Sequence, residues 1–492
     1  MNNKHSIYEI NTRVWIRKFD TSDKRAQLKD VSFSYWSGLA NLGIDCIWLM
    51  GIWQTCDSII DCYCFEDHLK KSYSKALKDW KREDVGGSPY SIEAYKINPL
   101  FGNESDLQKL KTDLNNLGIK LILDFIPNHF SAGTSLIQTN PKIFLSVTRE
   151  AFCNEPHTFF QPRIDKAEYF AHGRDPFFPA WQDTVQVNIS SNEARKFLKN
   201  ELQKLTQFCD GVRCDMAMLV LNNVFKNTWA GLLNDSSIEN SNTEFWSEAI
   251  ADTKNLRSDF LFLAEAYWDL EWQLQQLGFD YTYDKRLTDR LKYSTAGEII
   301  DHLKADNSFQ KKSIRFLENH DEDRILSAIG KERSKAAAIV ISTLQGMSFY
   351  NDGQFEGKRI KLPVQLINEP EEKVNTEVQA FYFKILKLCS SDVFKNGTWN
   401  LLKPSSSWHG NITYENMLAW EWQLRDERRF VVINYSQDAS SCRLKVDVTG
   451  YHEELIFTDL LNDVSYVRSA EEIYVLGLYV ELKPWQAHIF AL

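Results

Sequence analysis

The chain has 492 residues, 43% of them hydrophobic and 25% charged, with a formal net charge of −10. That length predicts a large domain with at least one smaller unit, and the ordinary globular composition excludes disordered and fibrous classes. The negative balance repels phosphate backbones and anionic lipid, so no nucleic-acid or membrane partner is expected and a neutral ligand fits better.

No apolar run approaches the ~18 residues of a membrane span, and residues 1–10 lack the charged-then-apolar layout of a signal peptide. The nine cysteines are an odd number without disulfide-scaffold spacing, and Cys46 and Cys214 lie inside apolar runs. A reducing cytoplasm is therefore the expected location. Aromatic residues make up 13% of the chain, 15 of them Trp; flat rings suit sugar clefts, and core packing uses them equally well.

Buried strands are predicted at 12–15, 45–50, 120–125, 211–215, 260–265, 279–283, 313–317 and 347–350. Segment 54–87 follows the second strand. Its Cys56, Cys62, Cys64 and His68 lack the paired short knuckles of a zinc site, so no metal is assigned there. Its lysine-rich stretch 70–82 reads as a solvated helix near a cleft rim. A helix is predicted over 106–117, where Ser105 and Gln108 make a capping-box pattern and Leu107, Leu110, Leu114 and Leu117 share one face before Gly118 stops it. Segment 131–183 is too long for an ordinary connection and reads as an inserted subdomain. A second helix is predicted over 192–208, with Ser190 and Glu193 as its box and Phe197, Leu198, Leu202, Leu205 and Phe208 on the buried side.

About eight strand–helix units imply an α/β fold, a (β/α)8 barrel made of 1–130 and 184–392, with active-site residues at the C-terminal strand ends. The helical pattern then gives way to short alternating runs at 429–434, 442–448, 454–457 and 479–482, which predict an antiparallel β-sandwich over 393–492.

Four strand ends carry polar clusters. Asp124-Phe125-Ile126-Pro127-Asn128-His129 taken alone also fits a strand ending in a polar loop. In Gly211-Val212-Arg213-Cys214-Asp215, alternation puts Arg213 and Asp215 on one face, where a guanidinium favours an ionised carboxylate; a structural ion pair would need the same two residues. In Phe262-Leu263-Ala264-Glu265-Ala266-Tyr267 a lone acid ends an apolar strand, and desolvation there raises its pKa, as a general acid requires. Phe316-Leu317-Glu318-Asn319-His320-Asp321 opens into a His-Asp pair. In a barrel, Asp215, Glu265 and Asp321 converge on one cleft.

These motifs, in this order, resemble the four main conserved regions of the α-amylase family, glycoside hydrolase family thirteen. The resemblance implies a retaining enzyme with Asp215 as nucleophile, Glu265 as acid/base and Asp321 as transition-state stabiliser. It implies that Arg213 and Asp124 hold the nucleophile, that His129 and His320 bond the sugar, and that Tyr90 in "GGSPYSIEAY" stacks beneath it. Asn128 and Asn319 are supporting residues of the same motifs. A retaining mechanism needs an ionised nucleophile and a protonated acid about 5 to 5.5 Å apart, which adjacent barrel strands can supply.

The sequence departs from that pattern in two places. Where many starch-cleaving members have Ala-x-Lys-His after the nucleophile, this chain has Met216-Ala217-Met218-Leu219. Where calcium-dependent members have Asp-Leu-Asn or Asp-Leu-Asp, it has Gln186-Val187-Asn188. Asn128 alone is a poor cage for an ion wanting six to eight oxygens, so no cofactor is assigned and calcium is not required. The expected partner is a short α-glucan or α-glucoside. A transglycosylase, isomerase or sucrose-type enzyme on the same scaffold is the alternative, and a non-catalytic interaction protein a third. Oligomeric state is left open.

Overall fold

The computed structural model describes residues 4–233, 243–451 and 453–492. Eight parallel strands close into a barrel: β1 (Ser6–Asn11), β2 (Cys46–Met50), β3 (Lys120–Phe125), β4 (Gly211–Cys214), β5 (Leu261–Ala264), β6 (Tyr281–Tyr283), β7 (Ser313–Arg315) and β8 (Met347–Asn351). β8 closes onto β1 in a register running from Ser6 opposite Ser348 to Glu9 opposite Asn351. Closure leaves no free sheet edge.

The strands are buried on both faces because alternate residues serve two cores. Ile7, Trp48, Ile122, Leu263, Ile314 and Phe349 fill the barrel interior. Tyr8, Ile10, Ile47, Leu49, Leu121 and Leu123 face the surrounding helices.

The first predicted strand is a correction. Thr12–Trp15 is a buried helical turn, and β1 lies just upstream. A four-residue apolar run carries no periodicity that separates helix from strand; what decides is that Ser6–Asn11 finds a pairing partner on each side. The helix caps also shift. Helix Glu104–Asn116 is capped by Asn103, whose side chain accepts from the Ser105 and Asp106 amides while Asp106 bonds back, so Ser105 lies inside the helix. Helix Asn192–Phe208 is capped by Ser191, whose hydroxyl accepts from the Ala194 amide; Ser190 instead bonds the Asn188 side chain. The apolar faces are as expected, with Leu107, Leu110, Leu114, Leu198, Leu202 and Leu205 buried.

Two excursions rise from the C-terminal end of the barrel. After β2, Trp53–Thr55 pairs with Ile92–Ile97, enclosing helix Asp67–Ala76, which buries Tyr73 and Ala76. After β3, His129–Ser131 pairs antiparallel with Thr184–Gln186, and a three-stranded sheet of Ser146–Val147, Phe159–Phe160 and Tyr169–Ala171 lies between them. Beyond the barrel, a six-stranded antiparallel sheet contains Met417–Leu424, Glu427–Asn434 and Ala487–Ala491. Its one face packs with the pair Ser440–Leu444 and Leu478–Leu482 around Phe430, Cys442, Phe457, Val480 and Phe490. Its other face joins the main core through Trp420, Trp422 and Ile433, and the Trp422 indole N–H donates to the Thr343 carbonyl at 2.6 Å.

Gly346 starts the final barrel strand at φ 93°, where a Cβ would overlap the Ser313 carbonyl oxygen and lie 2.9 Å from that of Gln310. Both strain and collision act against a side chain there. Gly346→Ala is expected to destabilise the fold by about 2 to 4 kcal/mol, read as a lowered denaturant midpoint with unchanged m-value.

Candidate active site

Arg213 points into the barrel mouth from β4, in register with Asp124 on β3, and is 1% exposed. Its Nη1 lies 2.7 Å from Asp215 Oδ1 and 3.5 Å from Asp124 Oδ1, and its Nη2 lies 2.9 Å from Glu265 Oε2. The rings of Trp48, Tyr90 and Tyr283 surround the guanidinium, with centroids at 5.0, 5.3 and 5.8 Å. One cation thus faces three buried carboxyl groups, and a dry setting cannot hold all three as anions.

The protonation preferences follow. Burial pushes Asp124 and Glu265 each up to about 7, against the opposing pull of Arg213. Burial also raises Asp215, but this carboxylate has the shortest contact to Arg213 and receives a hydrogen bond from it. Asp215 is therefore the group the guanidinium best supports as an anion, and Glu265 the one best placed to keep a proton.

Glu265 is held from two further sides. The Met216 amide donates to Oε2 at 2.6 Å and the Tyr267 hydroxyl to Oε1 at 3.0 Å. Met216 itself adopts φ 43°, a left-handed conformation that costs energy for a side chain of its size.

On the opposite wall, His320 Nδ1 meets Glu9 Oε1 at 2.5 Å, and Nε2 meets Asp321 Oδ2 at 2.9 Å and the Tyr90 hydroxyl at 2.8 Å. Burial disfavours the imidazolium, yet Asp321 and Glu9 hold the His320 pKa well above its ordinary value. Burial likewise opposes ionisation of Asp321, and His320 overcomes it, bringing that pKa down to about 2. The Asp321 side chain remains 51% exposed to the cleft. Asn319 Oδ1 accepts from the Asp321 and Glu322 amides, both at 2.9 Å, and so fixes the turn that presents Asp321. The Tyr90 ring stacks on His320 at 5.3 Å and 29°.

His129 lies on the hairpin strand above β3, beside Asn128 and with its ring 5.3 Å from that of Trp181. Burial lowers its pKa to about 4, so the ring is neutral. Next to it, Gln186 Nε2 donates to Asn128 Oδ1, the Asn128 carbonyl and the Val187 carbonyl at 2.9 to 3.0 Å. An amide N–H already occupies these oxygens, so this set does not fit calcium. Among the described residues no cluster of three or more His, Cys, Asp or Glu could hold a metal, Cys56, Cys62, Cys64 and His68 included.

Of the ten residues named from sequence, Tyr90, Asp124, Arg213, Asp215, Glu265, Asn319, His320 and Asp321 are joined by these contacts around the barrel mouth, and Asn128 and His129 sit together on the hairpin above β3. Glu9, Trp48, Met216, Tyr267 and Tyr283 were not anticipated. Glu9 carried a usable signal, a lone acid inside the apolar strand Ile7-Tyr8-Glu9-Ile10, the same signature that marked Glu265. Trp48 and Tyr283 look like core aromatics in sequence, and only the barrel turns their faces to Arg213.

The family model described as "Alpha amylase, catalytic domain" matches residues 34–400. The chain belongs to the α-amylase family. Among curated relatives, Alpha-amylase 3 of Dictyoglomus thermophilum is 20% identical over 77% of this chain and 78% of its own length. Alpha-amylase MalA of Haloarcula japonica is 24% identical over 72% of this chain, and the match spans only 44% of that protein. Among solved structures, the maltogenic α-amylase AmyB of Thermotoga neapolitana superposes with a TM-score of 0.68 at 20% identity, covering 100% of this chain and 99% of that one. Trehalose-6-phosphate hydrolase of Bacillus licheniformis superposes at 0.67 and 15% identity, with coverage of 100% and 99%.

Removing the shared cation leaves three buried carboxyls without one. Arg213→Met is expected to lose about 3 to 5 kcal/mol of stability at pH 7.5 and markedly less at pH 5. The sign follows because raised carboxyl pKa values make the folded state bind more protons than the unfolded state, so stability falls as pH rises. Urea unfolding at the two pH values measures it.

Proposed function

We propose that this α-amylase-family enzyme is a retaining hydrolase of α-glucosidic bonds in short α-glucans or α-glucosides. The observation that carries the reading is the pair Asp215 and Glu265 on opposite nitrogens of one guanidinium, with Glu265 raised to about 7. A single guanidinium between them suits the short carboxyl separation of retaining enzymes, about 5 to 5.5 Å, rather than the wider gap that admits a water.

Asp215 attacks the anomeric carbon as Glu265 protonates the leaving oxygen, giving a β-glycosyl ester on Asp215. Glu265, now anionic, takes a proton from water, which attacks the ester and restores the α configuration. Arg213 and Asp124 position the nucleophile. Asp321, kept ionised by His320, grips sugar hydroxyls as positive charge develops on the ring, and Tyr90 and His129 complete the subsite. The run after the nucleophile supports small substrates: Ala217, Met218 and Leu219 are buried and offer no polar side chain to an acceptor. Transfer to a sugar acceptor is the second reading, since the same nucleophile and acid/base serve it and the buried run after the nucleophile brings no polar side chain that selects between water and sugar.

No calcium is needed in this proposal, since the Gln186 amide ties Asn128 to Val187 by hydrogen bonds. A cytoplasmic location is supported by the nine cysteines, all free thiols. Among the described residues no helix is long and apolar enough to cross a membrane.

Asp215→Asn and Glu265→Gln are each expected to lower kcat by at least about 10³-fold with little change in melting temperature. For the parent enzyme, kcat/KM should fall as pH rises past about 7, when Glu265 loses its proton, and fall again in acid as Asp215 gains one. Initial rates on maltooligosaccharides, sucrose and trehalose, with the anomer followed by NMR, test the scheme. Retained turnover in Asp215→Asn, or a β product, removes the mechanism, and transfer sugars in place of glucose or maltose replace hydrolysis with the second reading. Chelator is expected to leave the rate unchanged.

A further inference from the structure

Beside the cleft lies a second concavity of about 570 Å³ whose lining is cationic. It forms where three elements meet: helix Asp67–Ala76 of the excursion after β2, the turn after β7, and the loop after β8. These contribute Lys75, Arg324, Arg359 and Lys361, against the single acid Asp323. The chain as a whole carries a net charge of −10, so the sign is locally reversed here, and a concave wall focuses the field of the charges that line it.

The four cations are not equivalent. Arg324 is already neutralised by Glu318 at 2.7 Å. Lys361 donates to the Asp321 carbonyl, so the pocket is separated from the proposed catalytic cleft by one turn of chain. Lys75 and Arg359 are exposed, and among the described residues neither charged head has an ion pair or hydrogen bond. Arg359 is nevertheless held in place by its backbone: its amide donates to Glu372 at 2.8 Å and its carbonyl accepts from Ser327 at 2.7 Å. The nearby carboxylates are committed elsewhere, Glu372 to backbone amides and Glu369 to Lys358 at 2.6 Å. The result is an anchored backbone carrying an unpaired guanidinium, with two ammonium groups around an open volume whose lining holds Asp323 as its one acid, Glu372 lying behind it against the Arg359 amide.

We propose that this pocket binds a phosphate monoester or free phosphate, with Arg359 as the planar donor and Lys75 and Lys361 as flanking charges. Its position across the Asp321 turn would let the phosphoryl group of a phosphorylated sugar sit there while a neutral glucosyl unit occupies the cleft. The site is distinct from the carboxylate cluster and does not depend on the proposed mechanism.

Calorimetric titration of the full chain with inorganic phosphate and with glucose 6-phosphate tests it, on the parent protein and on the double variant Lys75→Ala/Arg359→Ala. Both substituted residues are exposed and outside the catalytic cluster. Binding is expected to weaken with added salt and to drop at least tenfold in the variant, while turnover of 4-nitrophenyl α-glucoside stays unchanged. Glucose 6-phosphate binding at least tenfold tighter than phosphate assigns the site to a phosphorylated sugar; equal affinities assign it to the free anion. Absence of binding by both, or binding undiminished in the double variant, overturns the proposal, and neutral-glucoside turnover reports on the catalytic reading separately.

Discussion

The guanidinium of Arg213 has to satisfy Asp124, Asp215 and Glu265 at once, in a place where water cannot share the task. Because it cannot neutralise all three, the barrel mouth distributes protons unequally, and the inequality is the source of the chemistry. Geometry decides the order: the carboxylate with the shortest contact and a direct hydrogen bond from Arg213 keeps its charge, while burial and the neighbouring carboxylates push Glu265 up to about 7 against the donors that hold it. The aromatic walls of Trp48, Tyr90 and Tyr283 serve the same end, since ring faces stabilise the cation without adding another acid.

Such an arrangement persists only if its frame cannot relax. The closed sheet supplies that frame, and just beyond β4 the left-handed backbone at Met216 is held by its amide bond to Glu265. A second, separate charge chain runs Glu9, His320, Asp321, and it links the first barrel strand to the seventh across the mouth. The two chains have opposite protonation logic. One holds an excess of carboxyls around a cation and favours protonated acids; the other places an imidazolium between two carboxylates and keeps Asp321 ionised.

The excursions after β2 and β3 set what reaches this chemistry. The second brings Trp181 against His129, and the Gln186 amide ties its hairpin together through hydrogen bonds to Asn128 and Val187. The first brings Lys75 to the loops after β7 and β8, where the surface changes sign. The C-terminal sheet stays away from the cleft and shares its tryptophan face with the barrel helices.

Family, barrel and the polar strand ends that meet at the barrel mouth were legible in the sequence because their signals are local. A strand ending in Asp, Glu or His after an apolar run is a pattern of neighbours, and period-2 alternation alone puts Arg213 and Asp215 on one face. The same locality explains the errors. Residues 12–15 and the helix caps were misplaced by one to several positions, since short apolar runs and adjacent Ser or Asn residues offer several locally acceptable choices that only long-range pairing decides. Glu9, Trp48 and Tyr283 join Arg213 or His320 from strands far apart in the chain, and the cationic pocket draws on three segments that share no motif. Sequence by itself determined which groups could do the chemistry; the tertiary structure decided which share one cation, because proton affinities depend on distances and burial that no single segment encodes.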